Sequence, residues 1–221
     1  VAFLHGHRSK GSSIDDVVTP GRLGGRSVIR RLTARLQEMP LDAHGKHVFV
    51  KENNIHQMLF FLVDAFPDAK FIFQVRDPRD FLLSCVARRK RWLGNKFGSI
   101  RNAMNVWRDD QLGGLAAYGL LGPQRVFLQR YEDLVGNFET TVTQLCAFLG
   151  LDFDERMHNF HEADHAQKLA VKGGPRENLS RPLMTANFRK YRKGLSRGQV
   201  KIVEAYNGDL MDRFGYPREY T

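Results

Sequence analysis

Phe71-Ile72-Phe73-Gln74-Val75-Arg76-Asp77-Pro78-Arg79-Asp80-Phe81-Leu82-Leu83-Ser84 is the stretch on which the reading of this chain turns. A mostly apolar strand ends on an arginine and a proline turn follows. A serine then falls eight positions after that arginine, on the first turns of a new segment. Apolar character of this kind suits a parallel strand covered on both faces. Arg76 then stands at the carboxyl end of the strand, where open α/β sheets place their ligands. Ser84 reaches the same point from the following helix. A fork-shaped cation and a hydroxyl near a helix start are equipped to hold a phosphate.

Working outward, apolar spacing divides the chain into alternating strands and helices. Val1 to Leu4 and His47 to Val50 read as short strands, and Val28, Leu32 and Leu36 mark a helix that Pro40 ends. Ile55, Leu59, Leu62 and Phe66 line a helix stopped by Pro67. Further helices are expected from about Arg79 and over Ser99 to Tyr118, with a strand over Arg125 to Gln129. Asn137 is placed to cap a helix whose face is Phe138, Val142, Leu145 and Leu149, closed by Gly150. Ser196 and Gln199 form a capping-box pattern for the last helix, which Gly215 and Pro217 stop. His165 to Tyr191 is polar and basic and reads as a mobile loop over the site. Strands alternating with helices argue for an α/β fold with a parallel sheet flanked by helices in three layers. No internal repeat or domain boundary is visible, so residues 1–221 read as one domain.

The 221 residues suffice to bury a real core, and 42% hydrophobic residues with 16 phenylalanines exclude a disordered chain. A net charge of +10 points to anionic partners: nucleotides, phosphate or sulfate groups, or polyanionic sugars. The basic residues gather around a nucleotide-type pocket rather than alternating with exposed aromatics, so nucleic acid is not expected. Cys85 and Cys146 sit among apolar neighbours and read as buried thiols, not as a bridge or metal site. No apolar run approaches membrane-spanning length and no signal peptide is visible, and a cytoplasmic location is expected. The chain begins with Val1 rather than methionine, which suggests a fragment or a trimmed product.

Three further groups carry chemistry. Gln129-Arg130-Tyr131-Glu132-Asp133-Leu134 puts an aromatic face with a hydroxyl at a strand end, suited to a purine. Tyr191-Arg192-Lys193-Gly194 sets two cations beside a glycine that lets backbone approach a phosphate. The neighbouring Asn187-Phe188-Arg189-Lys190 is basic too, so the register of this cluster is open. Lys51 is a cation at the end of the strand His47 to Val50.

In residue types and spacing, Arg-Asp-Pro-Arg-Asp with the serine at the eighth position resembles the 3′-phosphate-binding motif of sulfotransferases. These are the enzymes that use 3′-phosphoadenosine 5′-phosphosulfate. The lead-in Phe66-Pro67-Asp68-Ala69-Lys70, the Tyr131 phrase and the following helix to Phe148-Leu149-Gly150-Leu151 continue the likeness, which runs from about Lys46 to Tyr216. The resemblance implies a P-loop-type sulfotransferase fold, with sulfuryl transfer from that nucleotide to a hydroxyl or amine. It implies that Arg76, Ser84, Arg192, Lys193 and Gly194 hold the 3′-phosphate, Tyr131 the adenine, and Lys51 the reacting centre. No metal is demanded, and a small-molecule or carbohydrate acceptor is expected.

The sequence departs from the family in two places. A histidine two residues after the strand-end lysine is the general base of the cytosolic branch, and Asn53 stands there in this chain. Glu52 and His56 are the nearest titratable candidates for that role. The family's phosphosulfate loop, Arg-Ser-Gly-Thr-Thr or Lys-Ser-Gly-Thr-Thr, has no match. Arg8, Ser9, Lys10, Gly11 and Ser12 offer similar ingredients after Val1 to Leu4, Gly21 to Ser27 offers a second choice, and a segment upstream of Val1 is the third. A non-catalytic module that binds 3′-phosphoadenosine nucleotides or polyanions is the rival reading. A small-molecule kinase of the same broad fold is disfavoured by the missing Walker lysine. A membrane anchor ahead of Val1 would move the expected location to the Golgi lumen.

Overall fold

The computed structural model describes residues 2–4, 48–50, 55–89, 99–171, 174–185 and 187–220, the first two stretches as backbone only. The strands expected from sequence all form: β1 (Ala2–Leu4), β2 (Val48–Val50), β3 (Lys70–Val75) and β4 (Val126–Arg130). They make one sheet in the order β2-β1-β3-β4. β1 pairs antiparallel with β2, Ala2 opposite Val50, and antiparallel with β3, Ala2 opposite Phe71. β2 and β3 therefore run in the same direction, as expected for a parallel sheet, with β1 reversed between them. A three-residue apolar strand records burial in its sequence and not direction, which is why the reversal could not be read from Val1 to Leu4. Helices alternate with the strands, and the class is α/β.

Two compact units are formed, Val1–Gln74 with Val106–Leu128, and Val75–Asn105 with Gln129–Thr221. In the first, a 3₁₀ turn (Ile55–Met58) leads into α1 (Leu59–Ala65). The apolar face predicted for this segment delivers Leu59 and Leu62 to a core of Met58, Ala69, Phe71, Ala117 and Val126. Ala117 comes from α3 (Ile100–Leu121), which lies very close to its neighbours. A Cβ on Gly113 would enter the His56 ring, and one on Gly114 would enter the Phe73 ring. Arg125 ties the start of β4 to the turn before β3, its Nε and Nη2 donating to the Ala69 carbonyl at 3.1 and 3.0 Å.

The second unit holds α2 (Pro78–Arg89), the first turns of α3, α4 (Tyr131–Gly136), α5 (Phe138–Leu149), α6 (Asp164–Ala170), α7 (Tyr191–Gly194) and α8 (Arg197–Arg213). Leu82 and Cys85 of α2, Ala103 and Met104 of α3 and Val203 of α8 form its core. Gly150 closes α5 in the left-handed conformation, φ 76°, which glycine adopts without a Cβ penalty. The Ser196–Gln199 capping box opens α8 as expected, whereas Asn137 precedes α5 without a side-chain cap bond. Cys85 and Cys146 are buried and take part in no disulfide. The stretch expected as a loop from His165 to Tyr191 instead carries most of α6 and a 3₁₀ turn over Gly174–Ser180. Its polarity reflects helices with exposed faces, a case that composition alone does not separate from a loop.

Candidate functional site

The site is built at the carboxyl ends of β3 and β4. At the end of β3, the Asp-Pro pair starts a helix. Pro78 takes the first helical position of α2, where its missing N–H is no loss, and the Asp77 side chain accepts the Arg79 backbone N–H at 2.8 Å. The helix start is thereby encoded locally, and the chain turns sharply enough to leave Arg76 at the strand tip. At the end of β4, α4 starts directly with Tyr131. Glu132 in its first turn locks the two tips together. One carboxylate oxygen accepts the Asp77 N–H at 3.0 Å and the other accepts the Tyr216 hydroxyl at 2.7 Å.

Arg76 and Tyr131 meet face to face. The Arg76 guanidinium carbon lies 4.6 Å from the Tyr131 ring centroid, within cation–π range, and both residues are half-buried. Asn187 joins them from a third segment. Its carbonyl accepts from Arg76 Nη2 at 3.4 Å, and its side-chain Nδ2 donates to the Tyr131 hydroxyl at 2.6 Å. Nothing in the sequence singles out Asn187, which is 111 positions from Arg76 and lies in a basic stretch.

Ser84 sits half-buried on the second turn of α2. The neighbouring Leu83 packs on α7 closely enough that a Cβ on Gly194 would overlap its methyl carbons. A second tie holds the same pair of helices, since the Tyr191 N–H donates to Asp80 Oδ1 at 2.8 Å. The structure thus brings the Tyr191-Arg192-Lys193-Gly194 turn against the helix that carries Ser84. The glycine expected to admit a phosphate is also required for this helix contact. Arg192 and Lys193 are both exposed. The Arg192 guanidinium is engaged by the C-terminal tail, with Nε and Nη2 each 2.7 Å from Glu219 Oε1.

Arg79, the second arginine of the motif, points inward and is 2% exposed. It forms a fork on Asp77, Nε to Oδ1 at 2.9 Å and Nη2 to Oδ2 at 2.7 Å. Nη1 donates to Glu204 Oε1 at 2.7 Å and to the Pro217 carbonyl at 3.0 Å, and the guanidinium carbon lies 4.3 Å from the Tyr191 ring centroid. Burial disfavours its charge, yet the bonds and charges of Asp77 and Glu204 more than compensate and hold it firmly protonated. Glu204 also accepts the Glu219 and Tyr220 N–H groups at 3.0 and 2.8 Å, pinning the tail. Burial, reinforced by the bond to Glu219, pushes the Tyr191 hydroxyl up to about 12, so it stays a neutral donor at physiological pH. This inward brace was not foreseen from the sequence, whose doubled Arg-Asp pattern was the available sign.

His56 lies in the first unit, in the 3₁₀ turn, its ring packed against Gly113 of α3. Lys51, Glu52 and the loop Arg8, Ser9, Lys10, Gly11 and Ser12 lie outside the described residues, as does the second loop choice, Gly21 to Ser27. Among the described residues no cluster of histidine, cysteine, aspartate and glutamate could hold a metal ion. No described helix is long and apolar enough to cross a membrane.

Comparison with known proteins gives the family and the fold. Residues 22–155 match the model of the sulfotransferase family, a span that includes Arg76, Ser84 and Tyr131 and stops short of the Arg192 cluster. The omega-hydroxy-beta-dihydromenaquinone-9 sulfotransferase Stf3 of Mycobacterium bovis is 27% identical over 171 residues, covering 71% of this chain and 38% of that protein. A protein-tyrosine sulfotransferase of Drosophila melanogaster is 26% identical over 102 residues, 46% of this chain and 20% of that protein. The chain therefore spans well under half the length of these relatives. Among solved structures, the sulfotransferase domain from the Synechococcus PCC 7002 olefin synthase superposes with TM-score 0.66 at 25% identity, covering 86% of this chain and 64% of that one. The sulfotransferase domain from the curacin biosynthetic pathway superposes with TM-score 0.57 at 21% identity, covering 86% and 68%. With the strand–turn–helix around Arg76, the tyrosine at the next strand tip and a family match over more than half its length, this chain belongs to the sulfotransferase family.

Proposed function

We propose that this chain binds 3′-phosphoadenosine 5′-phosphosulfate and transfers its sulfuryl group to a hydroxyl or amine of an acceptor. The observation that supports it most is the stacked pair of Arg76 and Tyr131 at adjacent strand tips. The donor set suits the nucleoside end of that molecule: a guanidinium fork and a hydroxyl for the 3′-phosphate, and a phenol with its hydroxyl for the purine. Asp77 and Asp80 do not spoil this anion site, because Asp77 is neutralised by Arg79 and Asp80 accepts a backbone N–H. When bound, the donor supplies the sulfuryl group.

In this reading Arg76 and Ser84 hold the 3′-phosphate, and Tyr131 orients the base. Lys193 and the Gly194 backbone, on α7, are assigned to the same phosphate. Arg192 joins them when phosphate displaces Glu219. Lys51 is assigned to charge developing at the transferred group, and Glu52 or His56 to the acceptor proton. Arg8 to Ser12 is one choice for the phosphosulfate loop. The relatives named for a menaquinone derivative and for protein tyrosine both point to a hydroxyl acceptor. A small molecule fits that reading, with a carbohydrate as the alternative.

Calorimetry with adenosine 3′,5′-bisphosphate tests the site. Wild type is expected to bind, and Arg76→Ala or Ser84→Ala to weaken binding about tenfold or more, as loss of charge-assisted phosphate bonds implies. No binding by wild type, or equal binding by both variants, overturns the reading. Binding without sulfuryl transfer to any hydroxyl acceptor would favour the non-catalytic nucleotide-binding module.

A further inference from the structure

We propose that Asn187 is a positioning residue of the purine site, setting the direction of the Tyr131 hydroxyl. The inference rests on the reading of Tyr131 as the base-facing residue. Two bonds of Asn187 carry it. The side-chain Nδ2–H donates into the phenol oxygen at 2.6 Å, and the main-chain carbonyl accepts from Arg76 Nη2 at 3.4 Å. The guanidinium also covers the phenol ring, so the two ligand-facing residues share one support.

The direction of the short bond decides what Tyr131 can offer. A phenol oxygen carries one proton and accepts through its lone pairs. With Nδ2–H donating into those lone pairs, the phenol proton is turned away from Asn187 and is available to a ring nitrogen of a base. A donor into the phenol oxygen also polarises the O–H and strengthens the bond it gives in turn. The side chain of Asn187 thus acts on the base end, while its carbonyl steadies the arginine at the phosphate end. Replacing the side chain removes only the first of these actions.

Titration of the full chain with adenosine 3′,5′-bisphosphate and, separately, with inorganic pyrophosphate distinguishes the two ends. Asn187→Ala is expected to bind the nucleotide about three- to tenfold more weakly, the range of one neutral hydrogen bond. Pyrophosphate affinity should stay within about twofold of wild type, because the main-chain carbonyl remains to steady Arg76. Asn187→Asp should lose as much as alanine. Its carboxylate accepts the phenol proton instead of donating, and its near-identical shape guards against a folding defect. In a Tyr131→Phe background, Asn187→Ala should have no further effect, which a general structural role would not produce. Unchanged nucleotide affinity in Asn187→Ala, or equal losses with nucleotide and pyrophosphate, overturns this inference and leaves the Arg76 and Ser84 results standing. Failure of wild type to bind the nucleotide overturns both.

Discussion

Arg76 and Arg79 stand three positions apart and carry the same guanidinium. Arg76 remains half-buried at the strand tip over Tyr131, while Arg79 turns into the core and binds Asp77, Glu204 and the Pro217 carbonyl. The difference follows from the helix start. Arg79 is the second residue of α2, whose N–H the Asp77 carboxylate already caps, so its side chain folds back onto the same carboxylate. Removing it strands two carboxylates that are 6% and 0% exposed. Arg79→Ala is therefore expected to destabilise by about 3–5 kcal/mol in urea unfolding, the usual result of breaking a buried ion pair from one side. Arg76→Ala should stay within about 1 kcal/mol of wild type while losing nucleotide affinity. Equal stability losses for the two variants would refute the division of roles.

At the scale of elements, the packing of α3 is set by glycines. Gly114 lies against the Phe73 ring and Gly113 against the His56 ring, whereas Gly119, on the same helix, has nothing within 4 Å of where a Cβ would stand. Alanine gains about 1 kcal/mol of helix propensity over glycine, and forcing volume into a packed contact costs about 1–3 kcal/mol. Gly119→Ala should accordingly raise the melting temperature and Gly114→Ala should lower it. Thermal unfolding of the pair decides this, and a rise in both would show that the Phe73 contact yields freely. The elements themselves were largely legible. Pro78 after Asp77, the capping box at Ser196 and the glycine at 150 are local signals, and each sits at an observed helix boundary. The polar stretch from His165 does not read as helix, because α6 has few buried positions to impose a period on it.

Across the whole molecule, the net charge of +10 provides attraction for anions, but the tail decides how some of that charge is used. Glu219 takes the Arg192 guanidinium and the Tyr191 hydroxyl. Burial pushes its carboxyl up, yet the bonds from Tyr191 and Arg192 together outweigh that and hold it below the usual carboxylate range. A depressed folded-state value contributes stability that is present above the ordinary glutamate value and is lost as pH falls through the folded one. The stability difference between wild type and Glu219→Gln should hence be greatest near neutral pH and shrink in acid. Urea midpoints measured from neutral to acidic pH check this, and a difference independent of pH would contradict the ion pair.

Features enforced by neighbouring residues are written directly into the chain. They include the strand into Arg76, the Asp77–Pro78 helix start, the aromatic at the tip of β4 and the α/β alternation. Spacings of a few residues carry those signals, because backbone hydrogen bonding and capping are local. Long-range packing sets the rest: β1 runs antiparallel to its neighbours, Arg79 is a brace rather than a ligand arm, Glu219 holds Arg192, and Asn187 joins Arg76 to Tyr131. Those contacts close separations of 27 to 138 positions. Their partners are selected by which buried charge or polar group must be satisfied once the chain has folded, and no periodicity in the sequence records that choice.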